Sequence, residues 1–151
     1  MMDYSITRNE ILNSASSLLG TPFVHQGRDA TTGVDCVGLL VVMGRLIAYP
    51  QIIDVEAYRR IPSSTVIKET LQKNLDEIPI EDARPADIFL MRQGGLLARH
   101  AAIYFSDELD IERGIEPMLL HAVKDGVKLE PFSNFPKSFF VSAFRLRGVI
   151  D

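Results

Sequence analysis

The chain has 151 residues, 20 of them acidic and 16 basic, for a formal charge of −4. No general positive field is therefore available to hold nucleic acid or an anionic membrane. Hydrophobic residues make up 46% and charged residues 24%, a globular mixture that excludes a disordered chain and suits a single domain, 1–151, burying about 70% of its unfolded surface.

The N-terminus, MMDYSITRNEILNS, lacks the charged and apolar blocks of a signal peptide. The most apolar run, Val37 to Met43, ends at Gly44 and Arg45, far short of the roughly 20 residues that span a bilayer. The expectation is a soluble protein made in the cytoplasm, with no membrane insertion. Thr7 and Glu10 form a capping-box pattern, and Leu12, Ala15, Leu18 and Leu19 recur at helical spacing, predicting a helix over 8–19. Pro22, Gly27, Asp29 and Gly33 mark 21–34 as loop. Asp35 is placed to cap a second helix from Cys36 to about Ala48. Residues 49–61 are less readable. The pairs Val66/Ile67, Thr70/Leu71 and Asn74/Leu75 predict a third, amphipathic helix between Pro62 and Pro79.

After Pro85 the texture changes. ADIFLMR (86–92), RHAAIYF (99–105), PMLLHAV (117–123), GVKLEPF (126–132) and FFVSAFRLRG (139–148) are short apolar runs separated by Gly, Asp and Pro. Helices first and strands afterwards predict an α+β fold, with N-terminal helices packed on one face of a C-terminal antiparallel sheet. The pairs Arg59-Arg60 and Arg145/Arg147 read as solvated faces.

Cys36 is the only cysteine, so no internal disulfide forms and nothing demands an oxidising compartment. At a helix start its thiol meets unpaired backbone N–H groups that favour a thiolate, lowering a thiol pKa from about 8.5 towards or below 7. The same groups would stabilise an oxyanion on an attacked carbonyl. A buried filler cysteine fits the position as well. The histidines shift the balance. If the strands around His100 and His121 form a hairpin centred on Asp110/Ile111, the two imidazoles stand directly opposite, with Cβ atoms about 5 Å apart. One histidine then serves as base and the other orients it. His25, beside the cysteine loop, reads as a loop-bracing residue or a substrate contact. A zinc site from three histidines and one cysteine would lack the short ligand pairs such sites use, so no metal or cofactor is expected.

Taken together, GTPFVHQGRDATTGVDCVGLL, RPADIFLMR with RHAAIYF, LLHAVKDGV and VSAFRLRG resemble the NlpC family of papain-like cysteine peptidases, in the family's order and over nearly the whole chain. HQGR and FRLRG look most like its phage and prophage tail-associated branch. The resemblance implies Cys36 as nucleophile, His100 as general base and His121 as the orienting third residue, with Asp35 capping the helix beside the nucleophile and His25 and Gln26 as loop residues near the substrate. It implies peptide stems of bacterial peptidoglycan as substrate, cut between a γ-linked D-glutamate and a diamino acid, with phage tail proteins as partners. The alternatives are a non-catalytic tail or adaptor module that keeps the fold, and an amidase or acyltransferase on the same triad. Where the family has serine after the cysteine this chain has Val37, and where it has an upstream tyrosine there is Phe23. Its Gly-Gly is Gln26-Gly27, and its Gly-Asp before the first strand is Ala86-Asp87.

Overall fold

The computed structural model describes residues 3–51, 53–54, 64–92 and 98–151. The Arg59-Arg60 pair and the predicted helix start at Pro62 lie outside them. A two-residue strand, β1 (Ile6–Thr7), leads into α1 (Arg8–Ser16), whose first turn is closed by Thr7 as Oγ1 accepts from the Glu10 N–H at 3.1 Å. The helix stops short of the predicted residue 19. The chain turns instead through Gly20, at φ 87°, where the Gly20 N–H donates to the Val127 carbonyl at 2.8 Å and the Thr21 carbonyl accepts from the Val127 N–H at 2.9 Å. This strand-like clamp competes with further helical turns and wins.

The loop that follows makes a small hairpin, β2 (Arg28–Asp29) with β3 (Gly33–Val34), and enters α2 (Cys36–Leu46). Residues 36–44 of α2 are all buried, as expected of a helix that is apolar on every side. It ends two residues before Ala48, which takes φ 53°. Helix α3 (Ser64–Asn74) buries Ile67 and Leu71. The predicted helical segment beyond it is instead an edge strand, β4 (Asp76–Ile78).

The strands predicted after Pro85 all form: β5 (Ile88–Arg92), β6 (Ala98–Phe105), β7 (Met118–Val123), β8 (Gly126–Pro131) and β9 (Phe140–Arg145), with a short helix α4 (Glu108–Glu112) between β6 and β7 and a last strand β10 (Val149–Ile150) parallel to β1. They build a six-stranded sheet in the order β4-β9-β5-β6-β7-β8, every pair antiparallel. Ile88, Leu90, Ala101, Ile103, Leu120 and Phe144 join the helices in the main core. On the opposite face Phe89, Met91, Ala102, Leu119 and Ala143 are covered by Phe132, Phe135, Phe139 and Phe140. The fold is therefore α+β, as the order of patterns in the sequence predicts. No helix among the described residues is long and apolar enough to cross a membrane.

Two arginines are not solvated faces. Arg145 donates to both Asp87 oxygens, at 3.1 and 2.9 Å, and Arg147 donates to the Lys73 and Leu75 carbonyls at the end of α3. Asp87 is 1% exposed and also receives Arg8 Nη1 at 3.1 Å, so one buried carboxylate joins α1, β5 and β9.

Candidate active site

The site is built where the cysteine loop meets the middle of the sheet. Asp35 caps α2 as expected, Oδ1 accepting from the Gly38 N–H at 2.8 Å. Its other oxygen accepts from the Gln26 N–H at 2.9 Å, and Arg28 Nη1 lies 3.1 Å from Oδ1 while the same guanidinium reaches Asp54. Asp35 thus fixes both the helix start and the loop before it. Gln26 contributes its backbone here, at φ 58°. His25 stands beside it, partly buried.

Cys36 is 6% exposed. Its Sγ lies 3.9 Å from the Arg99 carbonyl oxygen, the acceptor for the thiol proton. Residues two apart on a strand direct their backbone groups to the same edge, and the Ala101 N–H, two residues along β6, is directed at the same sulfur. The nucleophile candidate therefore docks on the backbone on either side of His100.

The two histidines come together, though not in the expected register. The hairpin pairs Ile103 with Leu120, Tyr104 with Leu119 and Phe105 with Met118. Continued to the site, this places His121 across from residue 102 rather than directly opposite His100. The connection is the cause. It contains α4, capped by Asp107 as Oδ1 accepts from the Asp110 N–H at 2.6 Å and closed at Gly114 with φ 74°. A shift of two residues keeps both side chains on one face. The rings meet diagonally, His100 Nε2 to His121 Nδ1 at 2.7 Å, with ring planes 65° apart.

Sequence reasoning missed the next member. His121 Nε2 lies 2.9 Å from Glu130 Oε1 on β8. The signal was present: Lys124-Asp125 before Gly126 is a two-residue hairpin turn, and the observed pairing of Val123 with Gly126 and His121 with Lys128 puts Glu130 diagonal to His121 on the same face.

Electrostatics corrects a second expectation. Burial pushes the Cys36 thiol up to about 11, and the Asp35 charge adds to that, against the N–H groups of Ala101, Val37 and Cys36. The carboxylate that caps the helix offsets the helix-end field that would have favoured a thiolate. Burial likewise pushes His100 down to about 3, helped by His121 and opposed by Glu130. Both shifts favour the uncharged forms, thiol and imidazole. His121 is lowered chiefly by burial, with the Glu130 hydrogen bond opposing. Partial burial pulls Glu130 upward, yet hydrogen bonds from His121 and Asn134 and the charges of His121 and Lys128 hold it below the usual carboxylate range. Among the described residues no group of three or more His, Cys, Asp or Glu side chains is arranged to hold a metal ion.

No family model matches the chain, and no curated protein matches it. Solved structures do. The NlpC/p60 domain of the peptidoglycan hydrolase SagA superposes with a TM-score of 0.65 at 19% identity, covering 93% of this chain and 100% of that one. The fold is that of NlpC/p60 domains. An NlpC/p60 family protein from Bacillus cereus gives a TM-score of 0.64 at 16% identity over 95% of this chain, which spans 41% of that longer protein. RipD from Mycobacterium tuberculosis, described as a non-catalytic NlpC/p60 domain protein adapted to a peptidoglycan-binding function, gives 0.58 at 18% identity, covering 94% of this chain and 98% of that one. The NlpC/p60 fold thus occurs both in a hydrolase and in a non-catalytic binder.

Proposed function

We propose that the protein is a cysteine peptidase that hydrolyses the stem peptides of bacterial peptidoglycan, with Cys36 as nucleophile, His100 as general base and His121 as the residue that orients it. The observation that carries this reading is the unpartnered Nδ1 of His100. It is buried and without a hydrogen-bond partner, while Nε2 is held 2.7 Å from His121. Nδ1 has no hydrogen-bond partner, Cys36 Sγ included, and it belongs to the histidine flanked by the backbone groups that seat Cys36, so it is open to receive the thiol proton once Sγ turns from the Arg99 carbonyl.

In the proposed reaction the thiol proton leaves the Arg99 carbonyl and passes to His100 Nδ1 as Sγ attacks the peptide carbonyl carbon. The N–H groups that face the sulfur stabilise the developing oxyanion. The C–N bond then breaks, Nδ1 returns the proton to the departing amine, and a thioester remains on Cys36. Water attacks the thioester with His100 taking its proton, releasing the acid and restoring the thiol. The bond proposed is the one between a γ-linked D-glutamate and a diamino acid. An association with phage tail proteins rests on the HQGR and FRLRG segments.

A second reading, a non-catalytic peptidoglycan-binding module, is favoured by the 6% exposure and raised pKa of Cys36. Digestion of purified peptidoglycan by wild type and Cys36→Ala separates the two readings. The masses of the fragments distinguish a peptidase from an amidase.

A further inference from the structure

Glu130 completes a directed chain of hydrogen bonds, and the direction has a chemical consequence. An ionised carboxylate only accepts, so His121 Nε2, 2.9 Å away, must carry a hydrogen and donate it. A neutral imidazole then has a bare Nδ1. That atom accepts from His100 Nε2 at 2.7 Å, which in turn leaves His100 Nδ1 bare. The reverse assignment would turn a lone pair of His121 towards the carboxylate and put a proton on His100 Nδ1, buried with no acceptor. Such an orphaned buried donor is destabilising, which disfavours the reverse assignment.

We infer that Glu130 is a positioning residue: acting through His121, it sets the tautomer of His100 so that Nδ1 stands free to take a proton. Its catalytic consequence rests on the function proposed above, whereas the tautomer itself does not. The carboxylate is well placed for this role. It keeps about a fifth of its side chain in solvent and is braced by Asn134 Nδ2 at 3.4 Å and Lys128 Nζ at 3.5 Å. The ring it holds is further fixed by Phe135, edge-on at 5.9 Å. The charged or titratable groups facing His121 are Glu130 and Lys128 from β8 and His100 from β6.

The test is ¹⁵N spectroscopy of histidine-labelled protein at pH 7.5, where nitrogen shifts distinguish protonated from bare ring positions, with His25 identified by His25→Gln. Wild type should show both His100 and His121 protonated on Nε2. In Glu130→Leu a substantial fraction of His100 should move its proton to Nδ1, and turnover should fall about 10- to 1000-fold, since loss of tautomer control in a catalytic triad costs up to about 10⁴. Glu130→Gln removes the charge and keeps an acceptor. It should lower the His121 titration midpoint while preserving more of the wild-type tautomer than leucine does. A wild-type His100 protonated on Nδ1, or unchanged tautomers in folded Glu130→Leu, would overturn the inference. Absent turnover in wild type would count against the hydrolase reading alone, because the tautomers are read without substrate.

Discussion

Gly38, in the first turn of the helix that begins at Cys36, lies flush against Gly27 of the preceding loop. A β-carbon at position 38 would sit 1.9 Å from the Gly27 carbonyl oxygen, and one at position 27 would sit 2.3 Å from the Gly33 carbonyl oxygen. Both obstacles are backbone, so neither can turn aside. Gly38→Ala should therefore destabilise the domain by about 3 kcal/mol, at the upper end for overpacking a buried site. Urea denaturation measures it, and an unchanged midpoint would show that the loop does not seat the helix as described.

The buried histidine gives an acid-side prediction. His100 has a folded pKa of about 3, against 6.5 for an unperturbed histidine. The unfolded chain thus binds a proton between those values that the folded chain refuses. Stability is fully present above pH 6.5 and is lost as pH falls towards 3. Between pH 7 and pH 5 this group should cost on the order of 1–2 kcal/mol by linkage. Thermal melts should show that loss in wild type and a much smaller one in His100→Leu. Equal slopes would mean that His100 titrates normally.

The five strands after Pro85 were legible in the sequence because their apolar runs are short and each is closed by Gly, Asp or Pro. Asp35 was legible as a cap because capping is local chemistry. What depended on distant partners was not. The hairpin register came out two residues off because α4 occupies the connection. Glu130 escaped notice although the turn that pairs its strand with that of His121 is local, because its meaning depends on His121 already standing in the site. The thiol expectation took account of the helix end, which favours a thiolate, but not of burial and the Asp35 charge, which oppose it. Ala86 stands where the NlpC resemblance expects glycine, and the structure holds it at φ 81°, so the backbone shape persists without the residue that suits it best.

Asp87 illustrates the nonlocal part. Its carboxylate, 1% exposed, receives Arg8, Arg145 and the Arg84 N–H. Removing the charge takes Asp87 from the buried Arg8, which keeps Asp151 and the Pro85 carbonyl, and from the partly exposed Arg145, so Asp87→Asn should cost about 3 kcal/mol, the lower end for breaking a buried ion pair. Calorimetry of the variant checks it. A loss below about 1 kcal/mol would place the network among the weak surface pairs.

The thiol should be slow in the free protein. With Cys36 held near pKa 11 by burial, iodoacetamide at pH 7 should alkylate the folded chain more slowly than the urea-unfolded chain, because the thiolate is the reactive form. Intact-mass spectrometry follows the reaction. Folded protein that reacts faster than the unfolded chain would establish a resting thiolate–imidazolium pair and overturn the neutral assignment.

Whether Cys36 attacks peptidoglycan stem peptides is read from mass spectrometry of purified peptidoglycan after incubation with the protein. Wild type should release fragments bearing a newly freed amine on the diamino acid. Cys36→Ala, folded by circular dichroism, should release none above background, since losing a covalent nucleophile costs several orders of magnitude. Intact stem peptides after wild-type treatment, or equal release by the alanine variant, would rule out Cys36 as the nucleophile of such a reaction.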